Sequence, residues 1–148
     1  MRLTSFTDFG LRALMRLAAE PERAFRTGEL AEELAISRNH LVKIVRDLGA
    51  AGFVAARRGR KGGFRLAQPA QAITIGQIVR RLEARQAIVE CFRADGGACV
   101  MRPSCKLRGH LARAEEAFLR TLDAVVLSDC AYPAHELIPR RQMKSAWS

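Results

Sequence analysis

The stretch that decides the fold is residues 37–66, SRNHLVKIVRDLGAAGFVAARRGRKGGFRL. Its first part carries apolar residues at helical spacing, and its second part holds two short apolar runs. The spacing predicts a helix that is capped by Ser37 and ends near Gly49–Gly52. The two apolar runs, 53–56 and 64–66, predict a β-hairpin whose connection is rich in glycine and arginine.

Two more helices are predicted upstream of this stretch. The first runs from the cap candidates Thr4–Thr7 to about Glu20. The second opens at Thr27, which we expect to be its N-cap, and leads into a short turn at Ile36. Three helices followed by a basic hairpin indicate a winged helix-turn-helix domain over residues 1–72. Its third helix is then the recognition helix.

The rest of the chain is predicted to form three segments. Residues 73–106 hold a short amphipathic helix, Ile73–Leu82, and an irregular loop with three cysteines. Residues 107–130 belong to a long helix that is predicted from Ser104 to about Asp129. Residues 131–148 are expected to form a loose, polar tail. The predicted fold class is therefore mainly α with a small β-hairpin.

The long helix carries one apolar stripe. The stripe consists of Leu107, Leu111, Ala114, Phe118, Leu122 and Val125. Glu116 and Arg120 are predicted to pair on the outer face of this helix. Because too little chain remains to cover the stripe, we expect it to be buried in a homodimer.

The charge of the 148-residue chain is strongly positive, because 25 Lys and Arg residues stand against 15 Asp and Glu residues, a net of +10. The stretch from Leu48 to Leu82 holds no acid and seven basic residues, five of them within residues 57–65. This pattern favours a polyanionic partner, double-stranded DNA.

No apolar run approaches about 20 residues, and no signal peptide is evident. We therefore expect a cytoplasmic protein that does not associate with a membrane and whose cysteines are reduced.

The candidate DNA-binding residues lie on the third helix and on the hairpin. Arg38 and Asn39 have the chemistry to read guanine and adenine, while Lys43 and Arg46 are suited to hold phosphate. The full set is Ser37, Arg38, Asn39, His40, Lys43, Arg46, Arg57, Arg58, Arg60, Lys61 and Arg65. The alternative is a merely solvated basic surface, and the order of helices and hairpin favours DNA binding.

Cys91, Cys99 and Cys105 are separated by seven and five residues in an irregular loop. Thiolates favour zinc, copper(I) or an iron–sulfur cluster, and this spacing lacks the close Cys pairs of zinc fingers and disulfide exchangers. The alternative is three ordinary buried cysteines, which a charged loop disfavours. His110 is an inferior candidate for a fourth ligand, and Cys130 is expected to pack. Because no catalytic constellation occurs, we do not expect an enzyme.

Three separated segments resemble the IscR/NsrR family of dimeric winged-helix regulators, and in particular its nitric-oxide-sensing repressors. They are LTSFTDFGLRAL (3–14), SRNHLVK (37–43) and RGRKGGFRL (58–66). The resemblance covers roughly residues 1–130. It implies a bacterial homodimer that binds an inverted-repeat operator and represses genes for nitric oxide detoxification. It also implies an iron–sulfur cluster, [4Fe–4S] with [2Fe–2S] as the alternative, held by Cys91, Cys99 and Cys105.

The same resemblance implies that the fourth cluster ligand is Asp8, donated by the other subunit. Reaction with nitric oxide would then release Asp8 and lower the operator affinity. The IscR branch uses a histidine three residues after the third cysteine, where this chain has Arg108, and this difference favours the nitric-oxide-sensing branch. Two alternatives stay open: a regulator of the same fold that senses iron–sulfur status or oxidants, and a structural metal-binding dimerisation module.

Overall fold

A computed structural model describes residues 2–59 and 62–138 of the chain. The elements are α1 (Ser5–Ala19), α2 (Thr27–Glu33), α3 (Arg38–Ala50), β1 (Val54–Arg57), β2 (Gly63–Leu66), α4 (Ile75–Leu82) and α5 (Lys106–Asp123). Short 3₁₀ turns occur at Ala70–Ala72, Glu90–Phe92, Leu127–Cys130 and Ala134–Glu136. The predicted mainly α fold, with three helices followed by an antiparallel hairpin, is confirmed.

The N-terminal helix is held tightly against α4. The Thr4 hydroxyl caps α1 by accepting from the Thr7 N–H at 3.2 Å, and the Thr4 N–H donates to the Glu83 carboxylate at 2.8 Å. A Cβ at Gly10 would lie 2.6 Å from the Leu82 side chain. The absence of a side chain at Gly10 therefore allows α1 to approach α4 closely.

The hairpin is anchored to the loop between α1 and α2. The fully buried Phe25 pairs with Phe64 of β2 through two backbone hydrogen bonds, of 2.8 and 2.9 Å. A Cβ at the neighbouring Gly63 would overlap the backbone of Phe25. Within the hairpin, the register pairs Val54 with Leu66. The position of the wing is thus fixed by an isolated β-bridge at Phe25, which precedes the recognition helix by more than ten residues.

A buried arginine ties these pieces together. The side chain of Arg16, which is 0% exposed, donates to Glu20 at 2.5 Å and to Glu33 of α2 at 2.8 Å. Its guanidinium also lies 4.9 Å from the centre of the Phe25 ring, a cation–π contact. Hydrogen bonds from Arg16 and then from Arg23 lower the pKa of Glu20 below its ordinary value. One cation therefore links α1, α2 and the residue that anchors the wing.

The segment after α5 differs from the prediction. The helix ends at Asp123 rather than at Asp129. The chain then pairs with the residues at the start of α4, because Ile75 donates to the Val125 carbonyl at 2.9 Å and Leu127 donates to the Ile73 carbonyl at 2.8 Å. Leu127 is fully buried as a result. Extending the helix would forfeit this pairing and expose Leu127, so tertiary contacts override the local periodicity.

Two smaller expectations are also wrong. The N-cap of α2 is Arg26, and Thr27 is the first helical residue. The carboxylate of Glu116 receives two hydrogen bonds from Arg80 of α4, at 3.1 and 3.2 Å, whereas Arg120 adds only a coulombic attraction. Pairing with Arg80 lowers the pKa of Glu116. Since α4 packs against α5, this partner across the helix interface is within reach.

The apolar stripe of α5 is divided between the core and solvent. Leu122 packs against the main core, whereas Leu107 is 60% exposed and Phe118 is 36% exposed. The homodimer and the domain boundaries at residues 72, 106 and 130 stay predictions.

We expect Arg16→Met to lower the free energy of unfolding by about 3 kcal/mol, because it removes two charge-assisted hydrogen bonds from a fully buried guanidinium and leaves Glu20 and Glu33 with the partly exposed Arg23. The control is Arg12→Met, which removes an ion pair whose two side chains are about half exposed and should cost no more than about 1 kcal/mol. Urea unfolding followed by circular dichroism measures both. Equal effects of the two substitutions would contradict the role assigned to Arg16.

Candidate functional site

The third helix presents its polar residues to solvent. Its buried residues are Leu41, Ile44 and Leu48, and they occupy one side of the helix at a spacing of three and four. The predicted DNA-binding residues on this element are all exposed: Ser37, Arg38, Asn39, His40, Lys43 and Arg46. Ser37 is the N-cap by position, but its side chain makes no capping hydrogen bond. Its hydroxyl is therefore not engaged by the helix terminus.

The turn between α2 and α3 sets the direction of the exposed helix. Ala35 adopts a left-handed conformation with φ of 53°, and the Ile36 N–H donates to the Ala31 carbonyl at 2.9 Å. Ile36 is buried. These contacts reverse the chain within a few residues, so that α3 begins with Arg38 at an exposed corner of the helix-turn-helix unit.

The hairpin carries its basic residues on an exposed tip. Arg57 ends β1, Arg58 follows it, and both are exposed. Arg65 of β2 is exposed and lies 3.8 Å from Glu22, a contact at the limit of an ion pair. The predicted contacts Arg60 and Lys61 lie outside the described residues.

Glycine shapes the tip of the hairpin. Gly59 has φ of 111°, and the N–H of Gly62 donates to its carbonyl at 2.8 Å. A Cβ at Gly62 would lie 2.8 Å from the Arg57 carbonyl oxygen. The described residues on both sides of the tip are therefore close together, an arrangement that suits a hairpin entering a minor groove.

The positive charges of α3 and of the first half of the hairpin are not neutralised by carboxylates in the described part of the chain. Arg38, Lys43, Arg46, Arg57 and Arg58 make no ion pair with any described Asp or Glu. The acid within α3, Asp47, is held by Arg81 at 3.3 Å. Elsewhere cations pair with acids, as Arg80 does with Glu116 and Asp123. A surface with unneutralised cations attracts a polyanion.

Asp8 is connected to the recognition helix through side-chain contacts. Its carboxylate accepts two hydrogen bonds from Arg12, at 3.1 and 2.6 Å. The Arg12 guanidinium lies 5.7 Å from the centre of the Phe9 ring. That ring stacks on His40 of α3, with centroids 6.4 Å apart. His40 thus has an aromatic partner on α1, and the side chains of Arg12 and Phe9 lie between Asp8 and α3.

The structure does not gather the three cysteines of the loop into one group. Cys91 lies in the 3₁₀ turn, Cys99 in the irregular loop and Cys105 at the N-cap of α5, and each is a free, half-buried thiol. Among residues 2–59 and 62–138, no three histidine, cysteine or carboxylate side chains form a group that could hold a metal ion. The donor set suits an iron–sulfur cluster chemically, but the loop does not bring the thiols together as ligands.

The loop nevertheless has a defined shape. The Glu90 carboxylate accepts from the Ala98 N–H at 2.9 Å, which joins the residues that precede Cys91 and Cys99. The Asp95 carboxylate accepts from the Gly97 N–H at 3.0 Å, and Gly97 has φ of 60°. The residues just before Cys91 and Cys99 are therefore held near each other.

An open cavity of about 460 Å³ lies beside Cys105. Its wall includes Arg102, Lys106 and Arg108, and the Arg108 guanidinium lies 5.7 Å from the Phe92 ring centre. The Arg113 guanidinium donates a hydrogen bond to Nδ1 of His110, the inferior ligand candidate, at 2.9 Å. Cys130 is distant in sequence from the loop and packs against the main core, as predicted.

Three residues near the candidate site were not singled out by the sequence. Arg16 is buried, although an arginine in a helical pattern predicts a solvent-facing position. Arg12 is paired with Asp8, and its i, i+4 spacing was a usable signal. Val42 is 49% exposed on α3, and its offset from Leu41 and Ile44 places it outside the core stripe.

None of the helices in the described part of the chain is long and apolar enough to cross a bilayer.

Among solved structures, IscR of T. potens superposes with a TM-score of 0.69 over 87% of this chain and 85% of that one, at 22% identity. CymR (YrzC), the global cysteine regulator of B. subtilis, gives a TM-score of 0.69 over 88% of this chain and 96% of that one, at 27% identity. The first of these likenesses concerns the fold alone.

Two sequence comparisons agree with the fold. The HTH-type transcriptional regulator NsrR of Geobacillus kaustophilus (strain HTA426) is 45% identical over 130 residues, which are 87% of this chain and 88% of that protein. Residues 3–133 match the Rrf2 family, described as an iron-dependent transcriptional regulator. The resemblance seen in the three sequence segments is thereby confirmed, and the chain belongs to the Rrf2 family of transcriptional regulators.

Proposed function

We propose that the chain is a homodimeric, DNA-binding repressor of the bacterial cytoplasm that recognises an inverted-repeat operator. The observation that carries this proposal is the set of unneutralised cations on α3 and on the hairpin, Arg38, Lys43, Arg46, Arg57 and Arg58. Arg38 and Asn39 at the start of α3 would read base edges in the major groove, while the hairpin would reach the minor groove. A dimer would bury the exposed Leu107 and Phe118 of α5 and present two recognition helices.

We further propose that Cys91, Cys99 and Cys105 hold an iron–sulfur cluster, with Asp8 of a second subunit as the fourth ligand. The support is the thiol set itself, the name of the 45% identical relative and the iron dependence in the family description. Such a cluster supplies iron that reacts with nitric oxide. A carboxylate is a harder donor than a thiolate, so the iron bound by Asp8 would be the most accessible to attack.

The contacts of Asp8 suggest how its state would reach the DNA-binding surface. Within one chain Asp8 is held by Arg12, so serving as a ligand requires it to leave that guanidinium. Arg12 lies over Phe9, and Phe9 stacks on His40 of α3. A change in the partner of Asp8 therefore alters the charge beside the aromatic pair that supports the recognition helix.

A second candidate function is a regulator of the same fold that senses iron–sulfur supply or oxidants. The support for it is the same fold together with three half-buried cysteines in one loop, a residue type that oxidants also modify. Titrating the iron-loaded protein with nitric oxide and, separately, with oxygen while operator binding is followed distinguishes the two candidates.

The logarithm of the DNA-binding constant, log Kobs, falls linearly with the logarithm of the salt concentration. We expect Arg57→Ala and Arg58→Ala each to make this slope less negative by about 1, because each removes one phosphate contact. Fluorescence anisotropy with a labelled duplex at several salt concentrations measures the slope. Arg113→Ala, a substitution of an exposed arginine on α5, is the control and should leave the slope unchanged. If the protein shows no salt-dependent affinity for DNA, the result would instead support a structural metal-binding dimerisation module.

We expect protein purified without oxygen to contain iron and sulfide, and Cys99→Ser to lose both. Cys130→Ser is the matched control, since Cys130 packs against the core outside the loop, and it should keep its full iron content. Iron and sulfide assays with an absorption spectrum measure the outcome. A colourless protein with one zinc ion per chain would contradict the cluster.

We expect Asp8→Ala to bind duplex DNA but to lose the decrease in affinity that nitric oxide causes in the wild type. If the contacts of Asp8 carry the signal, a coupling of about 3 kcal/mol, or about 150-fold in affinity, disappears. Asp129→Ala removes an exposed carboxylate elsewhere and serves as the control. An unchanged nitric oxide response in Asp8→Ala would remove Asp8 from the mechanism.

A further inference from the structure

Val42 is an exposed apolar residue within the charged face of α3. Its side chain is 49% exposed. One helical turn before it are Arg38 and Asn39, and one turn after it is Arg46, so these are its neighbours on the helix surface. All three are exposed polar or charged residues. Val42 is therefore the apolar centre of a polar patch rather than the edge of the core.

Folding does not account for this valine. Among the described residues of the winged-helix part, 2–59 and 62–72, Val42 is the one large apolar side chain that is exposed. A β-branched residue is also a weaker helix former than alanine, lysine or arginine at a solvent-facing position. We therefore expect Val42 to contribute to the free energy of binding when another molecule covers α3.

The residues around Val42 indicate which chemical group of a partner molecule it would contact. Residues 38–46 of α3 contain no carboxylate, and Asp47 is held by Arg81. The face thus offers hydrogen-bond donors from Arg38, Asn39 and Lys43, together with one branched aliphatic group. In the major groove of DNA, the base edge that matches an aliphatic side chain is the C5-methyl group of thymine.

We propose that Val42 is a specificity-determining residue that packs against the C5-methyl group of one thymine in each operator half-site. This inference rests on the proposed DNA binding. It further specifies the base, and the group on that base, that Val42 contacts. Side chains on a helix lean towards its N-terminus, so Val42 covers the turn that carries Arg38 and Asn39. One turn of helix spans about 5.4 Å and one base pair about 3.4 Å, which places the thymine within about two base pairs of the base that Asn39 reads.

The test uses the full-length, iron-loaded protein and a duplex that it selects from a random-sequence DNA library. Each thymine of that duplex is replaced in turn by deoxyuridine, which lacks only the C5-methyl group. Loss of one buried methyl contact weakens wild-type binding about fourfold at one thymine per half-site. Replacing the symmetry-related pair together weakens it about 15-fold.

Val42→Ala should bind the thymine duplex as weakly as the wild type binds the deoxyuridine duplex, and should no longer distinguish the two. Thermal unfolding should show that this exposed substitution leaves the fold intact. The matched control is Val100→Ala, the same substitution at a 92% exposed valine of the cysteine loop. It should keep the wild-type preference for thymine.

The inference is overturned if the wild type binds every deoxyuridine duplex as tightly as its thymine counterpart, or if Val42→Ala keeps the preference. In both cases the proposed DNA binding would stand, with Val42 a surface residue. Failure of the wild type to enrich any duplex would overturn the proposed function and this inference together.

Discussion

The buried guanidinium of Arg16 is the contact on which the placement of the DNA-binding elements depends. It joins the end of α1 to Glu33 of α2, and it lies against Phe25, whose backbone pairs with β2. Removing a charge from water is costly unless the charge is fully paired. Because Glu20 and Glu33 come from different elements, Arg16 keeps both ion pairs only when α1 and α2 are in place. Its Nη1 atom stays buried without a hydrogen-bond partner in the described part of the chain, so this placement also carries a cost.

Local pattern predicts the helices and the hairpin because each is amphipathic over its own length. The sequence could not indicate where α5 ends, since the end is set by pairing between residues about 50 positions apart, Ile73 and Leu127. Burial of Arg16 was equally hidden, because a lone arginine in a helical pattern gives no sign that two carboxylates and a phenyl ring surround it. Contacts of this kind depend on tertiary structure.

The candidate site also has features that the sequence predicts and features that depend on tertiary contacts. Exposure of Asn39, Lys43 and Arg46 follows from helical periodicity alone, and the structure agrees. The stacking of Phe9 on His40 joins residues 31 positions apart and could not be read from spacing. For the cysteine loop, residue types suggest metal chemistry, whereas the arrangement of the thiols depends on turns at glycines and on the Glu90 hydrogen bond.

Two ion pairs follow each other along α1, and their different exposure suits different tasks. Asp8 and Arg12 are about half exposed, so separating them costs no more than about 1 kcal/mol. Arg16 is fully buried, and losing its partners would cost several times as much. The exposed pair can therefore exchange partners while the buried pair keeps the domain folded. Since about 3 kcal/mol of coupling is needed for a 150-fold change in affinity, the proposed response to nitric oxide requires more than the Asp8 contact. In the proposed homodimer, a change in the spacing of the two recognition helices would supply the rest.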